Sequence, residues 1–350
     1  MVEGRSSEFD GGNVIEGRGI TKTFAGRGGL LGSAPVAALR DVDFVLPSGG
    51  AVSFIGESGC GKTTLGRILC GMEEADSGQL LFDGVDLASL PRRERLARLR
   101  RVQMVHQDPY SALNPTRTVR QALEDPLRLR ARQLSMGNDW VQSRAVELLG
   151  LVGLDPGYCL AQYPHTLSGG MRQRLVIARA LSVDPEVLVA DEAIAMIDVS
   201  LRLGILALLR QLRAELGVSV LFITHDVAAA RYVGADGQLY VLYRGQVVEH
   251  GPVDAVIASP GHPYSQCLLS AIPVLRGLEE PGTEQLLPLA GLDVGHEPPG
   301  CLFADRCPQA EHDCTLSRPS LRDADFPGHH HACLHPRHRQ VVAQAGAGAP

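Results

Sequence analysis

Short apolar runs that stop at glycine or at acidic residues alternate along this chain with longer stretches whose apolar residues recur every three or four positions. Ala51-Val52-Ser53-Phe54-Ile55 is such a run and ends at Gly56, as a strand buried on both faces does. Val187 to Ala190 is a second, running into Asp191-Glu192, and Val218 to Thr224 is a third. Arg101 to His106 reads as a further strand. Val14 to Phe24 and Val36 to Leu46 read as two strands ahead of these, separated by the glycine-rich stretch Gly26 to Pro35. Gln238 to Glu249 has the pattern of a hairpin turned at Arg244-Gly245. Gly61 to Cys70 and Leu201 to Leu216 follow the helical period. So does the region from Asp108 to about Leu167, where the stretch Trp140 to Leu154 places apolar residues at 141, 145, 148, 149 and 152 on one face. Strands alternating with helices predict an α/β fold with a largely parallel core sheet. After Pro260 the composition shifts to Pro, His and Cys, which marks a carboxy-terminal extension; no internal repeat is present.

Length and charge narrow the picture. A chain of 350 residues fits one large domain or two, and 45% apolar residues suffice for an ordinary core. A formal net charge of -6 argues against non-specific nucleic-acid binding as the main role. No run of eighteen apolar residues predicts a membrane span, and the polar stretch Met1 to Asp10 lacks the apolar core of a signal peptide. A cytoplasmic location is expected, where eight cysteines are thiols or metal ligands rather than disulfides. Lys22 and Lys62 are the chain's two lysines, and Lys62 lies in a glycine-rich loop.

That loop, Gly56-Glu57-Ser58-Gly59-Cys60-Gly61-Lys62-Thr63-Thr64, matches the Walker A phosphate loop. Its glycines let backbone N–H groups converge on phosphate oxygens, the helix that follows adds its positive end, Lys62 neutralises the β- and γ-phosphates, and Thr63 offers a hydroxyl to Mg²⁺. Val187-Leu188-Val189-Ala190-Asp191-Glu192 matches Walker B, an apolar strand that delivers two carboxylates at its carboxyl end. Asp191 is expected to hold Mg²⁺ and Glu192 to polarise the attacking water. Leu167-Ser168-Gly169-Gly170-Met171-Arg172-Gln173-Arg174 lies between the two and opens a basic, apolar-periodic helix.

In this order the three segments resemble the ATP-binding-cassette (ABC) ATPases. The resemblance implies an α/β P-loop core with a mostly parallel sheet, an antiparallel β subdomain, a helical subdomain over about 108–170, and a small Cys-rich carboxy-terminal extension. It implies that Ser168, Gly169 and Gly170 close over the ATP held by a second ATPase subunit. It also implies roles for single residues: Gln107 as the Q-loop residue at Mg²⁺ and the γ-phosphate, His225 as the switch histidine, Asp198 in the D-loop, and Phe24 stacking on adenine. Glu192, His225 and Gln107 form the expected catalytic set. Two departures stand out: Ala193-Ile194 follow Glu192 where relatives carry Pro-Thr, and Ala195-Met196-Ile197 replaces the commoner Ser-Ala-Leu. They bear on loop geometry and on coupling between subunits more than on the carboxylates.

Gln107-Asp108-Pro109-Tyr110-Ser111-Ala112-Leu113-Asn114-Pro115, His262-Pro263-Tyr264-Ser265 and Leu268-Leu269-Ser270-Ala271-Ile272-Pro273 narrow the resemblance to the ATPases of oligopeptide, dipeptide and nickel importers. The boundaries implied are a tail over 1–13, a nucleotide-binding domain over 14–258, and a carboxy-terminal region over 259–350 with a disordered tail from 336. The partners implied are a second ATPase subunit, two membrane permeases and an extracytoplasmic substrate-binding protein. Nucleic acid is not among them, and the chain is placed at the cytoplasmic face of the membrane. Cys301, Cys307, Cys314 and Cys333 are candidate ligands for a [4Fe–4S] cluster, with zinc as the alternative and reduced thiols as the plain reading. His312, His329, His330 and His331 are further candidate ligands, while Cys60, Cys70, Cys159 and Cys267 read as packing residues. The rival functions are a soluble ABC ATPase acting on nucleic acid or ribosomes, an importer of nickel or another small solute, and a non-hydrolysing regulatory partner.

Overall fold

Strands β1 (Asn13–Phe24) and β2 (Val36–Pro47) bury alternate side chains and pair antiparallel, with Glu16 opposite Val45 and Phe24 opposite Val36. β4 (Ser77–Phe82) and β5 (Val85–Asp86) complete a four-stranded antiparallel sheet in the order β2-β1-β4-β5. The second sheet is built on runs buried on both faces: β3 (Ala51–Ile55), β7 (Val187–Asp191) and β8 (Ser219–Thr224). Together with β6 (Val102–Val105) and β9 (Gln238–Tyr243) these strands lie parallel in the order β6-β7-β8-β3-β9. β10 (Gln246–Pro252) returns antiparallel to β9 through Arg244 and Gly245, both at positive φ, the turn that the sequence announces. The computed structural model describes residues 12–25, 35–270 and 298–336. The glycine-rich stretch 26–34 and most of both expected tails lie outside these residues.

Twelve helices are described: α1 (Lys62–Leu69), α2 (Arg92–Leu99), α3 (Pro109–Ala112), α4 (Val119–Leu134), α5 (Asn138–Leu151), α6 (Pro156–Cys159), α7 (Gly169–Leu181), α8 (Val199–Leu216), α9 (Val227–Gly234), α10 (Val253–Ala258), α11 (Pro263–Ser270) and α12 (His312–Leu316). The two faces of the main sheet feed two cores. On β8, Val220 and Phe222 join the core beneath α4, α5, α7 and α8, while Leu221 and Ile223 face the core shared with the antiparallel sheet. The expected apolar face of α5 is buried: Val141, Ala145, Leu148, Leu149 and Val152 are each at most 2% exposed. Among the described residues, no helix is long and apolar enough to cross a membrane.

Four elements lie beyond what the pattern announces. α2 buries none of its residues, so it has no apolar stripe to find. β4 opens on Ser-Gly-Gln, poor strand formers. β12 (His330–His331) and β11 (Arg322–Asp323) extend the main sheet beyond β10, with Glu249 opposite His331, because backbone pairing alone requires no apolar side chain.

This last junction is rich in histidine. The ring of His250 stacks between Tyr240 and His330, with centroids 5.1 and 4.6 Å apart. Burial and the neighbouring His330 and His329 push the His250 ring down from 6.5 to about 4. Burial pushes His262 down to about 4 as well. Between these values the unfolded chain binds more protons than the folded one, so stability is whole above 6.5 and falls as pH drops towards 4. The urea midpoint is therefore expected to fall between about pH 7 and about pH 4.5, less steeply for His250→Gln. An identical slope in that variant would remove His250 as a cause.

Candidate functional site

The loop between β3 and α1 is shaped by two close approaches. A Cβ at Gly61 (φ 111°) would stand 2.1 Å from the Ala38 carbonyl oxygen, and one at Gly56 (φ 154°) would stand 2.2 Å from that of Leu242. Only glycine fits at either point. Lys62 is buried, and its Nζ donates to the carbonyls of Gly56 at 2.7 Å and Glu57 at 2.9 Å, which places the ammonium over the loop. Cys60 packs beside it at 3.5 Å, and burial raises that thiol. Phe24 is 39% exposed at the end of β1, and the amine of Lys22 lies 5.4 Å from its ring. The β1–β2 register sets Phe24 opposite Val36, two residues from the Ala38 that abuts Gly61, so the aromatic ring and the loop share one edge.

Four of the residues expected at the site come together in direct contacts. Thr63 Oγ1 donates to Asp191 Oδ1 at 3.1 Å, joining the loop to the carboxyl end of β7. Asp191 is buried; burial raises its carboxyl and the Glu192 charge adds to this, while Thr63 and Lys62 pull it down. Crowded carboxylates of this kind favour a bound cation. Glu192 has φ 49°, a left-handed backbone that costs a side-chain-bearing residue on the order of 1 kcal/mol or more. Its backbone N–H still reaches the Ile223 carbonyl at 2.9 Å, and its carboxylate meets His225 Nδ1 at 2.9 and 3.1 Å. Ala193, Ile194 and Ile197 in the following loop are buried, so the residues that depart from Pro-Thr add apolar anchoring there. Asp198 is exposed at the start of α8.

Ser168 caps α7, its hydroxyl accepting from the Met171 N–H at 3.3 Å. Gly169 leaves open space where a side chain would be. Among the described residues no hydrogen bond joins Ser168, Gly169 or Gly170 to the loop 56–64 of the same chain. The helix is instead tied to the segment after β6. Gln107 is exposed there, one residue beyond His106, whose carbonyl accepts from Gln173 at 3.3 Å. The Arg172 guanidinium lies 3.9 Å from the Tyr110 ring centroid and donates to the carbonyls of Pro164 at 2.7 Å and Leu167 at 2.6 Å. Arg179 donates to the Ala112 carbonyl. The sequence reading names neither Arg172 nor Tyr110 individually as site residues; the basic run after Met171 and the subfamily segment 107–115 hold the signal.

The four extension cysteines line one cavity of about 20 Å³, with His262, Phe303 and His335 also on its wall. Burial raises the Cys301 thiol and pushes Cys307 and Cys333 up to about 11. Among the described residues, Asp313, Cys314 and His335 are the one group of three or more potential ligands whose donor atoms all lie within 4.8 Å of one another. The four sulfurs therefore line a common space, but no three of them lie within 4.8 Å of one another, so they are not gathered as a closed tetrahedral zinc site requires. The expected histidine ligands lie elsewhere: His329 is locked to Glu249 at 2.7 Å with both fully buried, and His330 stacks on His250. His335 and His262 are the histidines that reach the cavity.

A family model described as ABC transporter matches residues 39–195, and one described as oligopeptide/dipeptide transporter, C-terminal region matches residues 248–314. The chain is 41% identical over 293 residues to a probable peptide ABC transporter ATP-binding protein of Sinorhizobium fredii, covering 82% of this chain and 79% of that one. It is 39% identical over 290 residues to the dipeptide transport ATP-binding protein of Escherichia coli, covering 82% and 84%. A dimeric ATP-binding cassette solved in a post-hydrolysis state with ADP and Pi matches with a TM-score of 0.59 at 29% identity, over 68% of this chain and 98% of that one.

Proposed function

We propose a division of labour for this chain, which belongs to the ABC transporter family and, within it, to the ATP-binding subunits of peptide importers. It is the ATPase of a peptide importer, coupling ATP hydrolysis to transport through separate permease subunits. Residues 14–258 form the nucleotide-binding unit and residues 259–350 the carboxy-terminal region. The observation that carries the reading is the joining of Thr63, Asp191, Glu192 and His225 by direct contacts behind the loop that carries Lys62.

ATP lies with its phosphates on the backbone N–H groups of Gly56–Thr64 and its adenine against Phe24. Mg²⁺, when bound, would offset the negative charge of the phosphates; Thr63, Asp191 and Gln107 are the residues that would hold it. Glu192 orients and deprotonates the attacking water. His225 fixes the Glu192 carboxylate and reaches the γ-phosphate. The exposed Ser168 cap, with Gly169 and Gly170, serves the ATP of a second ATPase subunit, and Asp198 lies on the same face. The ties from Arg172, Gln173 and Arg179 make the segment 107–112 follow α7, so closure of the pair is carried to the permeases through the Gln107 region. The subunit sits peripherally at the cytoplasmic face of the membrane, and an extracytoplasmic binding protein delivers the peptide.

Purification from detergent-solubilised membranes is expected to recover two integral-membrane permeases, whose reconstitution gives ATPase activity stimulated by peptide-loaded binding protein. Recovery of ribosomes or DNA in their place would overturn the transport reading. For the extension, four thiols around one cavity support a [4Fe–4S] cluster held by Cys301, Cys307, Cys314 and Cys333. Anaerobically purified protein is expected to carry roughly four iron and four acid-labile sulfide per chain. Zinc without sulfide, or neither, would reject the cluster.

A further inference from the structure

Glu57, the second residue of the phosphate loop, is held at three separate atoms. Its carbonyl accepts from Lys62 Nζ at 2.9 Å. Its backbone N–H donates to Tyr264 Oη at 2.8 Å. Its carboxylate takes both arms of the Arg306 guanidinium, at 2.9 and 3.0 Å. Two of these three holds come from the segment beyond the nucleotide-binding unit. Tyr264 is fully buried, and the Arg306 side chain is only 12% exposed.

Arg306 is itself fixed. It ends the turn Ala304–Arg306, which is closed by the N–H of Ala304 on the Cys301 carbonyl and that of Arg306 on the Phe303 carbonyl, both at 3.0 Å. Phe303 packs edge-on against Tyr243 and Tyr264, with centroids 5.3 and 5.5 Å away. Arg306 also donates to Tyr243 Oη at 3.2 Å. A carboxylate on a loop that receives a triphosphate repels it. A bidentate guanidinium cancels that charge and sets the direction of the carboxylate, which a lysine, as a point charge, does less well.

We propose that Arg306 is a positioning residue of the ATP site: reaching from the carboxy-terminal segment, it neutralises Glu57 and holds the phosphate loop in its receptive shape. This inference rests on the reading of Gly56–Thr64 as the ATP site. It assigns the extension a task in nucleotide binding that is independent of what the neighbouring thiols hold.

The test compares Arg306→Met, Arg306→Lys, Glu57→Gln and the double variant Glu57→Gln/Arg306→Met, as full chains for ATP binding and in the reconstituted complex for KM and kcat. Arg306→Met is expected to raise Kd and KM for ATP on the order of tenfold, with a much smaller change in kcat. The double variant recovers most of that loss, because no carboxylate is left to repel the phosphates. Arg306→Lys shows a smaller rise, which Glu57→Gln also reverses, and it carries the same comparison if Arg306→Met is too unstable to assay. A change in KM below about twofold in both single Arg306 variants, or an equal rise with and without Glu57→Gln, overturns the proposal. Lys62→Ala serves as the control: if it binds ATP normally, the placing of the ATP site has failed, not the link to Arg306.

Discussion

Glu192→Gln is expected to lower ATP turnover in the reconstituted complex by ~10²–10⁴-fold while ATP binding and closure of the ATPase pair persist. The exchange keeps the size and shape of the side chain, and an amide still pairs with His225, now 2.9 Å from the carboxylate. What disappears is the base. The left-handed backbone at Glu192, held by the bond to the Ile223 carbonyl, is unchanged by a swap beyond Cβ. A folded-state explanation for lost turnover is thereby excluded in advance, and a normal melting temperature checks it. Single-turnover hydrolysis and ATP-dependent dimerisation by size-exclusion chromatography make the measurement. Turnover within a few-fold of wild type would assign the water-activating role to another group and would revive a reading in which Glu192 is structural.

The chemistry of this site was legible because each part is a local word. A glycine-rich loop, an apolar run ending in two acids and a capped basic helix each need only adjacent residues, and their order along the chain supplies the rest. The parallel strands were legible for the same reason: burial on both faces writes an unbroken apolar run, as in Ala51–Ile55 and Val187–Asp191. What stayed hidden depends on residues far apart. Glu57 and Arg306 are separated by 249 positions, and neither carries a mark that names the other. β12 is two histidines whose strand character comes from Glu249 and His250 opposite them. A surface histidine run and a sheet edge have the same sequence. The cysteines were readable as a group, but the choice of His335 and His262 over His329 and His330 as cavity neighbours needed the fold, since β12 carries His330 away from the thiols while Glu249 claims His329.

Lys62→Ala and Ser168→Arg are expected to abolish transport by different routes, and the difference tests whether the site is shared between two subunits. Lys62 supplies the loop's one fixed positive charge, over the carbonyls of Gly56 and Glu57. Removing it is expected to weaken ATP binding by the isolated chain by ~10²-fold or more, the range for losing one partner of a buried charge pair. Ser168 belongs to the opposite side of the problem. It caps α7 from an exposed position, so losing its hydroxyl costs on the order of 1 kcal/mol of helix stability and leaves the loop 56–64 untouched. The isolated Ser168→Arg chain is therefore expected to bind ATP with wild-type affinity. In the complex the bulky cation stands where a second subunit's nucleotide must dock, and ATP-driven pairing and turnover are lost together. Fluorescent-ATP titration of the monomer, set beside ATPase activity of the complex, separates the two steps. If Ser168→Arg weakened ATP binding in the isolated chain as much as Lys62→Ala does, the signature would be acting on its own chain's nucleotide. The composite site would then be wrong, whether the second ATPase is an identical copy or a relative.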